Sequence, residues 1–136
     1  MIQKQSRLKH IPNDKNIISW IKAAINQSGK KLNSSEITVR IVNKKESGYL
    51  NHYYRKKSGP ANVLSFAYTL KPLCGDIVLC APLIPDEKTW VHLVVHGILH
   101  LMGYDHITQK DAKIMENLEI NILNSLNFKN PYMEMQ

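Results

Sequence analysis

Apolar positions recur along the chain with two different periods. After Asn13-Asp14, a capping pair, Ile17, Ile18, Ile21, Ala24 and Ile25 return at intervals of three and four, the stripe of an amphipathic helix that Ser28-Gly29 stops. Trp20 adds bulk to its core side. Past Lys30-Lys31, Ile37, Val39 and Ile41 alternate with Thr38 and Arg40, the pattern of a half-buried strand ended by Asn43. Lys44 to Arg55 predicts a second, short helix packed through Tyr49, Leu50, Tyr53 and Tyr54, and Lys56-Lys57-Ser58-Gly59-Pro60 breaks it into a basic loop. Val63 to Tyr68 reads as a strand too apolar to be exposed on both faces, Lys71-Pro72 as a turn, and Gly75 to Cys80 as another strand. Residues 1 to 12 are polar and basic, with too little period to predict an element.

Pro82 and Pro85 lead into a helix that is apolar nearly all round, through Trp90, Val91, Leu93, Val94, Val95, Ile98, Leu99 and Leu101. Such a helix belongs at the centre of a fold, and Asp86 or Glu87 suits its N-terminus. Thr108, with Asp111 three residues on, predicts the cap of a last helix whose inner face is Met115, Leu118, Ile122 and Leu126. Asn127 and Pro131 end it, leaving Tyr132 to Gln136 as a loose tail. With no internal repeat, linker or low-complexity segment, the 136 residues are expected to form one domain, 1–136, around one modest core.

Composition adds compartment and charge. No apolar run approaches the ~20 residues that span a bilayer, and Met1-Ile2-Gln3-Lys4-Gln5 lacks a signal-peptide core, so a cytoplasmic protein without membrane association is expected. Cys74 and Cys80 sit at opposite ends of one expected strand, too far apart to bridge. The net charge of +7 is uneven: residues 1–57 hold 13 Lys and Arg against three acids, the remainder five against eight. A basic half suits a polyanionic substrate, although charge alone is more often plain solubility.

The chemistry concentrates in His92-Leu-Val-Val-His96-Gly-Ile-Leu-His100-Leu-Met-Gly-Tyr-Asp-His106, which holds four of the six histidines. One helical turn separates His96 from His100, so both imidazoles can reach one cation. His92 lies two turns from His100, or ~12 Å of rise, against zinc to nitrogen bonds of ~2.0–2.1 Å. A third ligand must come from chain that turns back, and Gly103 permits a left-handed turn that swings His106 round. Three imidazoles without a fourth protein ligand describe an open, catalytic type of site. The plainer alternative, three buried and satisfied histidines, does not account for the spacing. The spacing is that of metzincin peptidases, but their general base follows the first His, and here that position is Gly97. His92 and Asp105 are candidates to support the ligands from behind, with a packed His and a turn Asp as the bland readings. Asp76 is expected to bond backbone near its strand start, and His10 and His52 to lie at the surface. Tyr53 and Tyr54 could stack on unpaired bases, with core packing as the default.

The segment His96 to His106, together with Leu50-Asn51 and Arg55, Asn62-Val63-Leu64-Ser65-Phe66 and Gly75-Asp76-Ile77 in that order, resembles the YbeY-type endoribonucleases, bacterial rRNA maturation factors. The likeness runs from about Ile37 to Leu126; Ala61 and Ala67 stand where that family commonly has Thr and Pro. The resemblance implies an α+β fold, a small mixed four-stranded sheet packed by helices with the metal helix central. It implies one Zn2+ per chain on His96, His100 and His106, with Arg55 as the catalytic cation at the scissile phosphate and Arg55, Lys56 and Lys57 as substrate-binding residues. The activity implied is zinc-dependent, single-strand-specific endoribonuclease cleavage, in maturation of the 16S rRNA 3′ end and ribosome quality control. Its partners would be rRNA precursor and the small ribosomal subunit, not DNA. The nucleophile stays open between water and the RNA 2′-hydroxyl. The alternatives are a metzincin-like peptidase, and a non-catalytic ribosome-binding factor with structural zinc.

Overall fold

The computed structural model of the chain describes residues 1–5, 8–28, 35–70 and 72–132. Gly29, Lys30, Lys31, Lys71 and the tail beyond Tyr132 lie outside the described residues. In chain order the elements are β1 (Ile2–Lys4), α1 (Asp14–Gln27), β2 (Glu36–Val42), α2 (Lys44–Arg55), β3 (Val63–Thr69), β4 (Cys74–Cys80), a 3-10 turn (Ala81–Leu83), α3 (Glu87–Leu101) and α4 (Gln109–Ser125). The strands form one mixed sheet in the order β1-β2-β4-β3, with β1, β2 and β4 parallel and β3 antiparallel at the edge. This is the expected α+β fold with four strands.

Side-chain alternation sorts the two sheet faces. Val39, Ile41, Ile77 and Leu79 join Ile17, Trp20 and Ala24 of α1 and the interiors of α3 and α4 in the main core. Val42, Leu64 and Val78 point the other way, onto Leu50 of α2. Helices thus cover both faces of the sheet, α2 on one side and α1, α3 and α4 on the other. Nine of the fifteen residues of α3 are buried, as its all-round apolar sequence requires. Each long helix opens on a side-chain cap: Asn13, Asn43, Asp86 and Thr108 accept from the backbone N–H three residues on.

Three expectations need correction. The first residues are not without structure: β1 pairs with β2 in the register Ile2 to Val39, and the terminal amine donates to the Ile37 carbonyl at 3.0 Å. A three-residue strand with one partly buried side chain carries no period to read. The packed side of α2 is not its tyrosines, which are 61%, 56% and 59% exposed at Tyr49, Tyr53 and Tyr54. Ser47, Leu50 and Asn51 face inward instead. Their polar atoms are satisfied, Ser47 Oγ donating to the Ala61 carbonyl at 2.7 Å and Asn51 Nδ2 to the Gly59 carbonyl at 2.9 Å, so α2 is fastened to the loop after it. Finally, among the described residues the hydrogen-bond donor to Asp76 is the Tyr68 hydroxyl at 2.6 Å, where a backbone partner was expected.

Candidate active site

Close packing of α3 on the sheet sets the position of its histidines. A Cβ at Gly97 would stand 3.1 and 3.2 Å from the Ile77 methyls and 3.3 Å from Ser65 Oγ. Glycine there lets the helix backbone approach β3 and β4, and Ser65 Oγ donates to the Gly97 carbonyl at 3.3 Å. The position at which a metzincin carries its base is therefore a packing contact. His92, His96 and His100, spaced four residues apart, emerge half-buried along one side of α3. The helix ends at Leu101, and Gly103 takes φ +98, a left-handed conformation that lets the chain double back.

His106 returns on that turn. Its ring centroid lies 5.8 Å from that of His96 and 5.3 Å from that of His100, and the Nε2 atoms of His96 and His100 are 3.0 Å apart. Among the described residues two groups could hold a metal ion, His96 with His100 and His106, and His92 with His96 and Glu119, each with its ligand atoms within 4.8 Å of one another. Tetrahedral ligation with bonds of ~2.0–2.1 Å separates nitrogens by roughly 3.3–3.4 Å, so three imidazoles at this spacing fit a metal after small movements. Burial, followed by the neighbouring charges of His96 and His106, pushes His100 down to about 4, and Arg55 adds to the effect. A neutral imidazole is the ligating form.

Glu119 is the site residue that sequence reasoning missed. Its side chain is 1% exposed on α4. One carboxylate oxygen accepts from His96 Nδ1 at 3.0 Å, the other from His92 Nε2 at 2.6 Å and from the Tyr132 hydroxyl at 2.9 Å. Burial alone would raise its pKa, but the hydrogen bonds from His92 and His96 and their charge prevail and hold it down to about 2. Both oxygens are thus already engaged, which suits Glu119 to orient His96 while Nε2 of that ring faces His100. His92 meets the same carboxylate, one link removed from the three-histidine group. Asp105, the other candidate support, closes a turn instead, accepting from the Ile107 N–H at 3.2 Å. Tyr132, expected in a loose tail, is tied to the centre of the molecule, and burial beside the Glu119 charge raises its pKa so that the hydroxyl stays a donor.

Across from the histidines stands Arg55, the last residue of α2. Its guanidinium donates to the Ser65 carbonyl and lies 5.4 Å from the Phe66 ring centroid, so β3 props it over the cleft. Arg55, Lys57, Asn51, Ser65, His96, His100 and His106 line one cavity of about 800 Å³. Lys57 is thus at the cleft. Lys56 is the helix C-cap at φ 58, its Nζ 3.2 Å from the Tyr53 carbonyl and 5.9 Å from the Tyr53 ring centroid, on the outer side. His10 and His52 are exposed, and Cys74 and Cys80 are free thiols.

Fold and cleft define a small α+β protein whose central helix carries a candidate metal centre faced by an arginine. The chain belongs to the family described as Endoribonuclease YbeY, whose model matches residues 1–127. Proteins named Endoribonuclease YbeY from Coxiella burnetii strains Dugway 5J108-111 and RSA 331 / Henzerling II are each 42% identical to it over 147 aligned positions, covering 98% of this chain and 97% of theirs. The solution structure of TM1509 from Thermotoga maritima shares the fold, with a TM-score of 0.56, 23% identity and coverage of 93% of this chain and 92% of that one. No helix among the described residues is long and apolar enough to cross a membrane.

Proposed function

We propose that this chain is a zinc-dependent endoribonuclease that cleaves single-stranded RNA in the cleft between Arg55 and the three histidines, and that rRNA precursor in the small ribosomal subunit is its substrate. The observation that carries the reading is the shared cavity, in which a guanidinium faces three convergent imidazoles. Family membership and relatives named as endoribonucleases support RNA as the substrate, and the basic first half of the chain suits a polyanion.

His96, His100 and His106 would hold the ion. When bound, zinc supplies Lewis acidity toward a phosphoryl oxygen and makes water a better nucleophile at neutral pH. The protein's own groups do the rest. Glu119 fixes the His96 proton on Nδ1, leaving the Nε2 lone pair for the cation. His100, held neutral by burial, stays available as a ligand well below pH 7. Arg55 spends one arm on the Ser65 carbonyl, and a guanidinium has five N–H donors, so a two-pronged contact to the scissile phosphate remains within its capacity. There it offsets negative charge as the phosphate passes through the transition state. Lys57, at the same cleft, draws the strand in without touching the chemistry. The domain assignment 1–136 and a cytoplasmic setting belong to the same proposal.

The test is metal analysis of the purified protein together with cleavage of a labelled single-stranded RNA. One zinc per chain is expected, lost in the His96→Ala, His100→Ala and His106→Ala variants, with cleavage abolished by chelation and restored by zinc. Unchanged zinc content in all three variants, or cleavage indifferent to chelation, overturns the assignment.

A further inference from the structure

On an amphipathic helix tyrosines are ordinarily core, but the inward face of α2 is already filled by Ser47, Leu50 and Asn51. Tyr49, Tyr53 and Tyr54 stand out in solvent and touch one another. Tyr49 stacks on Tyr53 at 5.9 Å and 17°, Tyr53 meets Tyr54 edge-on at 4.8 Å, and Tyr54 meets Phe66 of β3 edge-on at 5.3 Å. The rings thus run without a break from the sheet edge outward along the helix. Where they reach the sheet, Tyr54, Phe66 and Tyr68 line a second cleft of about 650 Å³. It shares Arg55, Ser65 and Ala67 with the histidine cleft, so edge strand β3 separates the two and Arg55 borders both.

Charge selects the occupant. Residues 44–57 carry five Lys and Arg against one Glu, and Lys56 Nζ lies 5.9 Å from the Tyr53 ring centroid. The carboxylates near the second cleft already have partners, Asp76 the Tyr68 hydroxyl at 2.6 Å and Glu46 the Arg40 guanidinium at 3.2 Å. Cations that track a phosphate backbone beside exposed aromatic faces on which bases stack are the combination that holds unpaired nucleic acid. An acidic protein could answer the charge, but would have no use for a surface continuous with the cleft that takes the phosphate.

We propose that this second cleft is a base-stacking subsite for single-stranded RNA. The strand crosses the β3 edge at Arg55, its scissile phosphate on the histidine side and an adjoining unpaired base against Tyr54 and Phe66. Tyr53 and Tyr49 offer further ring faces to the next bases. A paired base cannot stack in this way, so the subsite supplies a preference for unpaired strand. It presupposes that the neighbouring cleft takes RNA, as proposed above.

Two probes separate the base from the phosphate: a labelled, unstructured oligoribonucleotide and an abasic strand of equal length. Binding of both to the zinc-loaded protein is measured by stopped-flow fluorescence anisotropy within the first turnover, and a gel of quenched samples confirms that the strand is still intact. Base stacking on one aromatic is worth ~1–3 kcal/mol, so Tyr54→Ala is expected to bind the oligoribonucleotide on the order of ten-fold more weakly. It should bind the abasic strand as the parent does, and Tyr54→Phe should behave as the parent toward both. Lys57→Ala should weaken both probes alike and lower the salt dependence. With 2-aminopurine in the strand, its fluorescence should be quenched at saturation by the parent and less so by Tyr54→Ala. Circular dichroism checks that the variants fold, as a half-exposed ring allows. Should Tyr54→Ala and Tyr53→Ala bind the base-bearing strand as tightly as the parent, the subsite is refuted while the ribonuclease reading stands. The same holds if they lose only affinity for a protein partner. Failure of the parent to bind or cleave either probe overturns the ribonuclease reading itself.

Discussion

Removing the carboxylate charge of Glu119 while keeping its shape is the most informative perturbation of the candidate metal centre. In the parent, three donors converge on this side chain, His92 at 2.6 Å, Tyr132 at 2.9 Å and His96 at 3.0 Å, inside the protein at 1% exposure. Glu119→Gln keeps the volume but replaces one acceptor oxygen by an NH2 group, so at least one donor meets another donor. The ring of His96 is then free to carry its proton on Nε2, the nitrogen that faces His100. Losing such an orienting contact typically costs about 10–100-fold in metal affinity, or ~1.4–2.7 kcal/mol. Glu119→Ala goes further, leaving partly buried donors without an acceptor at ~1–3 kcal/mol for each one unsatisfied. Zinc affinity is measured by competition with a chelator, and the tautomer of His96 in metal-free protein by nitrogen-proton correlation spectra of the imidazoles. The expected outcome is weaker zinc binding together with a shift of the His96 proton away from Nδ1. A Gln variant with parental affinity and the parental tautomer would show that Glu119 is only part of the core.

Two further outcomes follow from the same geometry. Metal-free protein should lose stability in two acid windows. His100 is held at about 4 against an ordinary 6.5, so between those values the unfolded chain takes up a proton that the folded one refuses, and stability falls as pH drops through that range. Glu119 is held at about 2 against 4.5, so its contribution is present above 4.5 and disappears as pH falls toward 2. Urea midpoints measured from pH 7 to 3 check this, and a flat profile down to pH 4 contradicts the first window. Gly97→Glu, which restores the metzincin letter, should destabilise the fold by ~1–3 kcal/mol through overpacking alone, because its Cβ meets Ile77 at 3.1 Å. It should produce no peptidase activity, as read by thermal melting and a generic peptide substrate; a stable, proteolytic variant contradicts the packing role.

What the sequence shows follows from how local each signal is. The bounds Lys44 and Arg55 expected for α2 are correct because end signals act over a few residues: Asn43, read as the end of the strand, also caps the helix, and Lys56 to Pro60 breaks it. Similarly, the spacing of His96, His100, Gly103 and His106 lies within one helix and the turn after it, and the structure brings those three rings together. Glu119 stands 23 residues beyond His96 and reads as one more acid on an amphipathic helix. The signal that it differs is its place one residue beyond Leu118, on the same inner side as Met115 and Ile122, where a carboxylate is out of pattern. Tyr132 is further still from His92, and its role depends on how the chain after α4 folds back. The tyrosines of α2 misled because ring hydrophobicity suggests burial, whereas the small polar Ser47 and Asn51 fit the close contact with the following loop.

The proposed role of Arg55 is to act on the scissile phosphate beside a zinc held by the three histidines. It is tested most directly by single-turnover cleavage of a single-stranded RNA at saturating enzyme, comparing the parent with Arg55→Ala at equal measured zinc content. Arg55 is exposed, so its removal should change thermal stability by no more than about 1 kcal/mol. The cleavage rate is expected to fall on the order of 10²–10³-fold, the usual loss of ~2.7–4 kcal/mol for a donor to developing charge. Arg55→Lys should recover only part of it, since an ammonium keeps the charge without the two-pronged geometry. Cleavage by Arg55→Ala at the parental rate once saturated would contradict the account.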